Sequence, residues 1–193
     1  RGFSFRYEGL LDMRMNQKLE MTASDILNKY SEQELAHIFK MYGEVNHFRR
    51  LASSIVKERV EKPFVQTTDL QTLASKFAPK RDENRFLSQV FQALRIEVNG
   101  ELDALKEMLS YTPTVLREGG RLVVISYHSL EDRMIKNFIR SGDVLVSQPP
   151  QDIYGNVDVP FKAVNRRVIV PSDSEIEINS RARSAKLRIA EKL

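Results

Sequence analysis

The run Ser126-Tyr127-His128-Ser129-Leu130-Glu131-Asp132-Arg133 collects the residue types of nucleophilic hydrolysis: hydroxyls, an imidazole and carboxylates. Their spacing argues against that chemistry. A triad sets the imidazole between nucleophile and acid in space, which neighbours along one turn rarely achieve. No Gly-x-Ser-x-Gly elbow surrounds either serine. His128 either fixes the turn by bonding to backbone or takes part in chemistry. A metal centre finds no support, because the three histidines stand at 37, 47 and 128 without a His-x-x-x-His pair or a carboxylate cluster. A second candidate pair, Asp12 and Arg14, lies within Leu11-Asp12-Met13-Arg14-Met15. In extended chain the two charges share one side and the three apolar residues the other. The pair either anchors a loop through an ion pair or is carried by that loop to a site. The eight glycines, at 2, 9, 43, 100, 119, 120, 142 and 155, give neither G-x-G-x-x-G nor a phosphate-cradling loop.

These residues need a scaffold. Gly119-Gly120 closes a helical pattern, and Leu122-Val123-Val124-Ile125 follows without a polar interruption. A short apolar run bounded by turn signals predicts a strand buried on both faces, of the kind found inside parallel sheets. Ligands of open α/β sheets bind at the C-terminal ends of such strands, where Ser126, His128 and Ser129 stand. The spacing of Ser129 and Asp132 predicts a capping box with a helix from Leu130 to about Ile139, stopping at Ser141-Gly142.

Upstream, helical patterning runs from Thr22 for most of the first half. Thr22 caps a helix through Tyr30, Ser31 with Glu34 caps a second, and Gly43 supplies its stop. A third helix is expected over 44–61, with Val45, Phe48, Leu51, Ala52, Ile55 and Val56 on one arc and Arg49, Arg50 and Lys57 on the opposite one. Thr67 or Thr68 caps a fourth. Phe86, Leu87, Val90, Phe91, Leu94 and Val98 form the core stripe of a long fifth helix, which Gly100 interrupts before the period continues to Pro113. Downstream, residues 143–160 read as a loop or short hairpin, with turn signals at Pro149-Pro150 and Gly155. Two β-prone stretches, Phe161–Val164 and Val168–Val170, precede a short helix capped by Ser172 with Glu175. The alternating stretch 184–191 predicts a final strand with one wet face.

Composition narrows the class. The chain has 193 residues, 41% hydrophobic and 29% charged, with no cysteine, which excludes a disulfide framework and thiolate-bound zinc. No apolar run approaches the roughly 20 residues of a membrane span; together with the absence of a signal-peptide pattern, this gives a cytoplasmic expectation without membrane contact. The net charge of +4 sits in residues 162–193, with eight Lys or Arg against four Asp or Glu, while the preceding residues balance at 22 of each sign. A basic C-terminal segment suits a polyanionic partner as well as a merely solvated surface. The opening Arg1-Gly2-Phe3-Ser4-Phe5, without an initiator Met, reads as a chain entered in its middle.

The motifs together closely resemble one family along essentially the whole chain: the bacterial S-adenosylmethionine-dependent methyltransferases of N4 of a cytidine in 16S ribosomal RNA. The resemblance rests on Arg1–Phe5, Leu11–Met15, Thr22-Ala23, Tyr42-Gly43-Glu44, Phe48–Arg50 with Ile55, Val90–Ile96 through Asn99, the central stretch, and Arg181–Glu191. Leu10 and Ser180 stand where that family usually has proline. The resemblance implies an α/β fold, the back half of a class I (Rossmann-like) methyltransferase sheet with an inserted all-helical domain. Residues 22–95 would be the insertion that recognises RNA, and 1–21 with 96–193 the C-terminal part of the methyltransferase domain. Val123–Ser126 would be the fifth strand of that sheet, and the tail its sixth and seventh.

The implied reaction is methyl transfer to an exocyclic amine, with 16S ribosomal RNA or the small ribosomal subunit as partner. The family's S-adenosyl-L-methionine motifs lie on the first four strands, upstream of Arg1, so no cofactor-binding residue is assigned here and the chain alone is expected to be inactive. Asp12, Arg14, Ser126, His128 and Ser129 are expected to bind the substrate base, with no catalytic residue assigned. Arg49, Arg50, Lys57, Arg181, Arg183 and Lys186 are expected at the RNA backbone. Two other classes fit the residues: a helical RNA-binding module without chemistry, and a fragment that forms a homodimer through an exposed sheet edge.

Overall fold

The computed structural model describes residues 2–149, 151, 153–154 and 157–193. Arg1 of the opening motif and the turn signals at Pro150 and Gly155 lie outside the described residues. The chain divides into two compact units, Arg1–Glu101 and Leu102–Leu193. Residues 2–21 therefore fall with the helices, whereas the sequence reading assigned 1–21 to the sheet-bearing part.

The first unit packs five helices: α1 (Ala23–Lys29), α2 (Glu32–Met41), α3 (Phe48–Glu61), α4 (Thr67–Ser75) and α5 (Glu83–Asn99). Reciprocal capping starts α1 and α2. The Thr22 and Ser31 hydroxyls accept the amides of Asp25 and Glu34, whose carboxylates accept the cap amides in return. The predicted stripe of α5 is buried throughout and meets Leu35, Phe39, Leu51, Ile55 and Leu70 in one core. Leu11 and Met13 of the N-terminal segment are in the same core.

Two sequence expectations shift here. Helix α3 begins at Phe48, four residues late, because Glu44 and His47 adopt φ of +50° and +62° and hold the chain outside the helical region. Neither Thr67 nor Thr68 caps α4. Asp69 accepts the amides of Val65 and Gln66 at 3.1 and 2.8 Å, while the buried Thr67 hydroxyl donates to the Tyr7 carbonyl and accepts the Gly9 amide. Gly43 follows the C-cap of α2 as expected, but its reason is space. A Cβ there would sit 2.7 Å from the Gln89 carbonyl oxygen and 3.0 Å from that of Phe39.

In the second unit α6 (Glu101–Val115) precedes β1 (Arg121–Ser126), α7 (Ser129–Ser141), β2 (Phe161–Ala163), α8 (Asp173–Ile178), a short 3₁₀ turn at Ser180–Ser184 and β3 (Lys186–Lys192). Pro113 sits in the last turn of α6 without an amide to give. The Thr112 hydroxyl donates to the Leu109 carbonyl at 2.7 Å in its place. The strand order is β1-β3-β2, and both neighbours run antiparallel to β3. β1 and β2 are therefore parallel to each other, with α7 in the connection between them. Of the second β-prone stretch, only Ile169 pairs, bridging Leu187.

The sheet's two faces overturn two expectations. Leu122 and Ala190 are buried with Ile135, Phe138 and Phe161, so one face packs on α7. The opposite face carries Val123 opposite Ile189 and Ile125 opposite Leu187. Val123 and Ile125 are each 56% exposed, so β1 is not buried on both faces. The final strand was also expected to turn its charged residues to water. Instead Lys186 and Arg188 lie on the α7 side, because Asp132 of α7 binds both. β3 is a central strand here, paired on both sides, while β1 pairs along one edge only among the described residues. No helix of the described residues is long and apolar enough to cross a membrane.

Candidate functional site

The end of β1 resolves into a helix cap and a clamp. Ser126 is buried, its hydroxyl 3.5 Å from the Lys186 carbonyl. His128, not Ser129, is the N-cap of α7, so the predicted box is displaced by one residue. The His128 Nδ1 accepts the Glu131 amide at 3.3 Å. The Glu131 carboxylate accepts the amides of Tyr127 at 2.8 Å and His128 at 3.3 Å. Its other oxygen lies 3.3 Å from His128 Nε2. An Nδ1 engaged as a cap acceptor carries its lone pair toward backbone, so in the neutral ring the proton resides on Nε2, facing Glu131. That arrangement fixes the turn, one of the two roles open to His128 in the sequence. It also leaves neither nitrogen arranged to relay a serine proton to an acid. Ser129 occupies the first turn of α7 and is exposed.

Released from the expected box, Asp132 binds across the unit. Arg188 Nε donates to Oδ1 at 2.6 Å and Nη2 to Oδ2 at 3.2 Å, and Lys186 Nζ donates to Oδ2 at 3.2 Å. Burial pushes the Asp132 carboxyl up, but the hydrogen bonds and charge of Arg188, and then those of Lys186, outweigh it and hold the group below its usual range. Lys186, 38% exposed, therefore shares its charge with Asp132. A charged pair spanning helix and strand gives little sequence signal; only the position of Asp132 one turn into α7 hints at it.

In the first unit Asp12 and Arg14 do form an ion pair. Arg14 presents a fork, with Nε donating to Oδ1 at 2.7 Å and Nη2 to Oδ2 at 2.9 Å. The Arg14 Nη1 reaches on to the Leu19 carbonyl at 2.7 Å. The side-chain hydrogen bond from Arg14 lowers the Asp12 pKa, overcoming the effect of burial. Between them Met13 is fully buried at φ +59°, a left-handed conformation that costs a non-glycine residue on the order of 1–3 kcal/mol. Asn99 at the end of α5 holds the bend, donating to the Met13 carbonyl and accepting the Met15 amide, both at 2.8 Å. Sequence reasoning missed Asn99, since nothing local ties a helix end to a loop 84 residues away. Met15, expected beside Leu11 and Met13, is 55% exposed because the chain has turned before reaching it.

The expected phosphate contacts are exposed. Arg49, Arg50 and Lys57 project from α3, with Arg49 over the Phe48 ring and Arg50 over that of Phe77. Arg181 and Arg183 project from the 3₁₀ turn. A more strongly basic concavity lies elsewhere. A cleft of about 310 Å³ between α7, β3 and the 163–168 loop is lined by Lys136, Arg140, Arg166, Arg167 and Arg188.

Comparison with known proteins agrees along the whole length. The model of the MraW methylase family matches residues 1–193. The chain is 55% identical over 193 residues to a ribosomal RNA small subunit methyltransferase H of Parabacteroides distasonis, covering all of this chain and 63% of that protein. It is 53% identical to the protein of that name in Cytophaga hutchinsonii and 49% identical to that in Flavobacterium johnsoniae, covering 64% and 63% of them. The chain thus spans somewhat less than two thirds of the relatives it matches. With the family model matched from the first residue to the last, this chain belongs to the MraW methylase family.

Proposed function

We propose that the protein containing this chain transfers a methyl group from S-adenosyl-L-methionine to the N4 amine of a cytidine in 16S ribosomal RNA. The observation that carries the reading is the family match over all of residues 1–193, joined by relatives named for small-subunit ribosomal RNA methylation. The finer fold reading is the back half of a class I sheet with residues 22–95 as an inserted helical domain. Its support is the parallel direction of β1 and β2 around α7, and the edge of β1 that pairs with no described residue.

The residues present do not fit the cofactor. The cleft against the sheet is walled by five Lys or Arg side chains and no carboxylate. It would repel a sulfonium and offers no acid to accept ribose hydroxyls. The task left to this chain is to bind and orient RNA. An exocyclic cytosine amine is a weak nucleophile whose lone pair is drawn into the ring, so the base must leave its stack and be held in one pose. Asp12 and Arg14 in one unit, and Ser126, His128 and Ser129 in the other, are the proposed base contacts. Asp12 keeps acceptor lone pairs beyond its fork with Arg14. Arg49, Arg50, Lys57, Arg181 and Arg183 are proposed at phosphates, with Lys186 the least available.

The test is transfer of labelled methyl by the intact protein to small ribosomal subunits, followed by mapping of the modified nucleotide. Label at N4 of a cytidine is expected. Salt-dependent RNA binding without label would leave only an RNA-binding module, and self-association through β1 without RNA binding would leave only a homodimer.

A further inference from the structure

We propose that the cleft between the C-terminal half of α7, β3 and the 163–168 loop is a binding site for the phosphate backbone of the RNA substrate. It was not among the candidates that the sequence suggested. The proposal deepens the RNA reading above and rests on it.

Helical spacing places Lys136 and Arg140, i and i+4, on one face of α7, with Ile139 beside them. Opposite stand Arg166 and Arg167, consecutive in a loop whose ends are fixed by β2 and by the bridge of Ile169 to Leu187. Five cations thus line a single concavity of about 310 Å³, with no acidic residue among its described lining. Of these, Arg188 is already neutralised by Asp132. Lys136, Arg140, Arg166 and Arg167 make no ion pair with any described residue.

Four like charges around one cleft repel one another, and no described residue pairs with them. A chain of phosphates relieves that repulsion and releases its own counterions in doing so. Arginine's planar fork suits phosphate oxygens. The clamp from Asp132 to Arg188 keeps α7 against β3 and so fixes the cleft's width. The charge asymmetry of the sequence points the same way, since Arg166 and Arg167 belong to the basic segment 162–193.

The experiment is a fluorescence-anisotropy titration of the intact protein with a labelled RNA stem–loop at several salt concentrations. Wild type is compared with K136Q/R140Q, with R166Q/R167Q and with all four changes together. All four positions are exposed, so circular dichroism and the urea midpoint should stay at wild type; if the fourfold variant is perturbed, the two pairs carry the test. At roughly 0.7 released counterions per single-strand phosphate, the slope of log K against log salt should fall by about 3 in the fourfold variant and by about half of that in each pair. An unchanged slope overturns the proposal. Complete displacement of RNA by millimolar pyrophosphate also overturns it, because that marks a site for a small free anion. Failure of the cleft is distinguishable from failure of the function: methylation by the intact protein beside an unchanged slope refutes only the cleft, whereas a reduced slope beside absent methylation refutes only the chemistry.

Discussion

Replacing Asp132 by alanine tests how the second unit holds its shape. The carboxylate is 13% exposed and accepts three charge-assisted bonds, from Arg188 at 2.6 and 3.2 Å and from Lys186 at 3.2 Å. Lys186 is 38% exposed and turns to water once released, so its share is small. Arg188 is 19% exposed, and its guanidinium is stranded beside α7 without an acceptor. Removing one partner from a fully buried pair costs about 3–5 kcal/mol. Partial exposure brings the expectation for D132A to about 2–3 kcal/mol. With a urea m-value of about 1–1.5 kcal/mol/M for a unit of this size, the midpoint should fall by about 2 M at pH 7. Amide exchange in α7 and β3 should quicken while α1 to α5 keep their protection.

The pH dependence has a definite sign. The Asp132 pKa is lowered on folding, so its stabilisation is present above the unfolded carboxylate value near 3.9 and lost as pH falls through the folded one. Wild type and D132A should therefore converge in acid. The double variant D132A/R188M should recover part of the loss, because no charge is then left stranded. A midpoint change below about 0.3 M at pH 7, or a difference that persists undiminished in acid, refutes the reasoning.

Substitutions at two further positions separate packing from chemistry. Replacing His128 by asparagine retains an N-cap acceptor, so the urea midpoint should stay within about 0.5 kcal/mol of wild type, whereas alanine should cost about 1 kcal/mol. If His128 contacts the base, H128N in the intact protein slows methyl transfer despite that unchanged stability; an unchanged rate removes it from the pocket. G43A should destabilise the helical unit by about 1–3 kcal/mol in thermal melts, because the new methyl collides with the carbonyls of Gln89 and Phe39.

What the sequence disclosed was whatever depends on neighbours along the chain. The α5 stripe, the caps at Thr22, Ser31 and Ser172, and the stop at Gly142 with φ +77° all follow from local spacing and local backbone preference. What it concealed depends on partners distant in sequence. Asp132 and Ser129 have capping-box spacing, but Arg188 and Lys186 compete for the carboxylate, and the cap passes to His128 and Glu131. The alternation of 184–191 correctly marks a strand, but pattern alone does not tell which face is covered. The answer lies in α7, which brings a carboxylate to the charged side. The Asp12–Arg14 pair was visible as a pair, but the positive φ of Met13 and the grip of Asn99 were not, because both arise from tertiary bonds. The basic cleft was invisible for the same reason: Lys136 and Arg140 are 26 or more residues from Arg166 and Arg167 and meet only through the sheet.

The most direct measurement is the position of methyl label in 16S ribosomal RNA after small subunits lacking the modification are incubated with the intact protein and labelled S-adenosyl-L-methionine. The account predicts one labelled cytidine, with the methyl on its exocyclic amine. Label on another base or another atom, or RNA left unlabelled by a folded protein that binds both substrates, contradicts it.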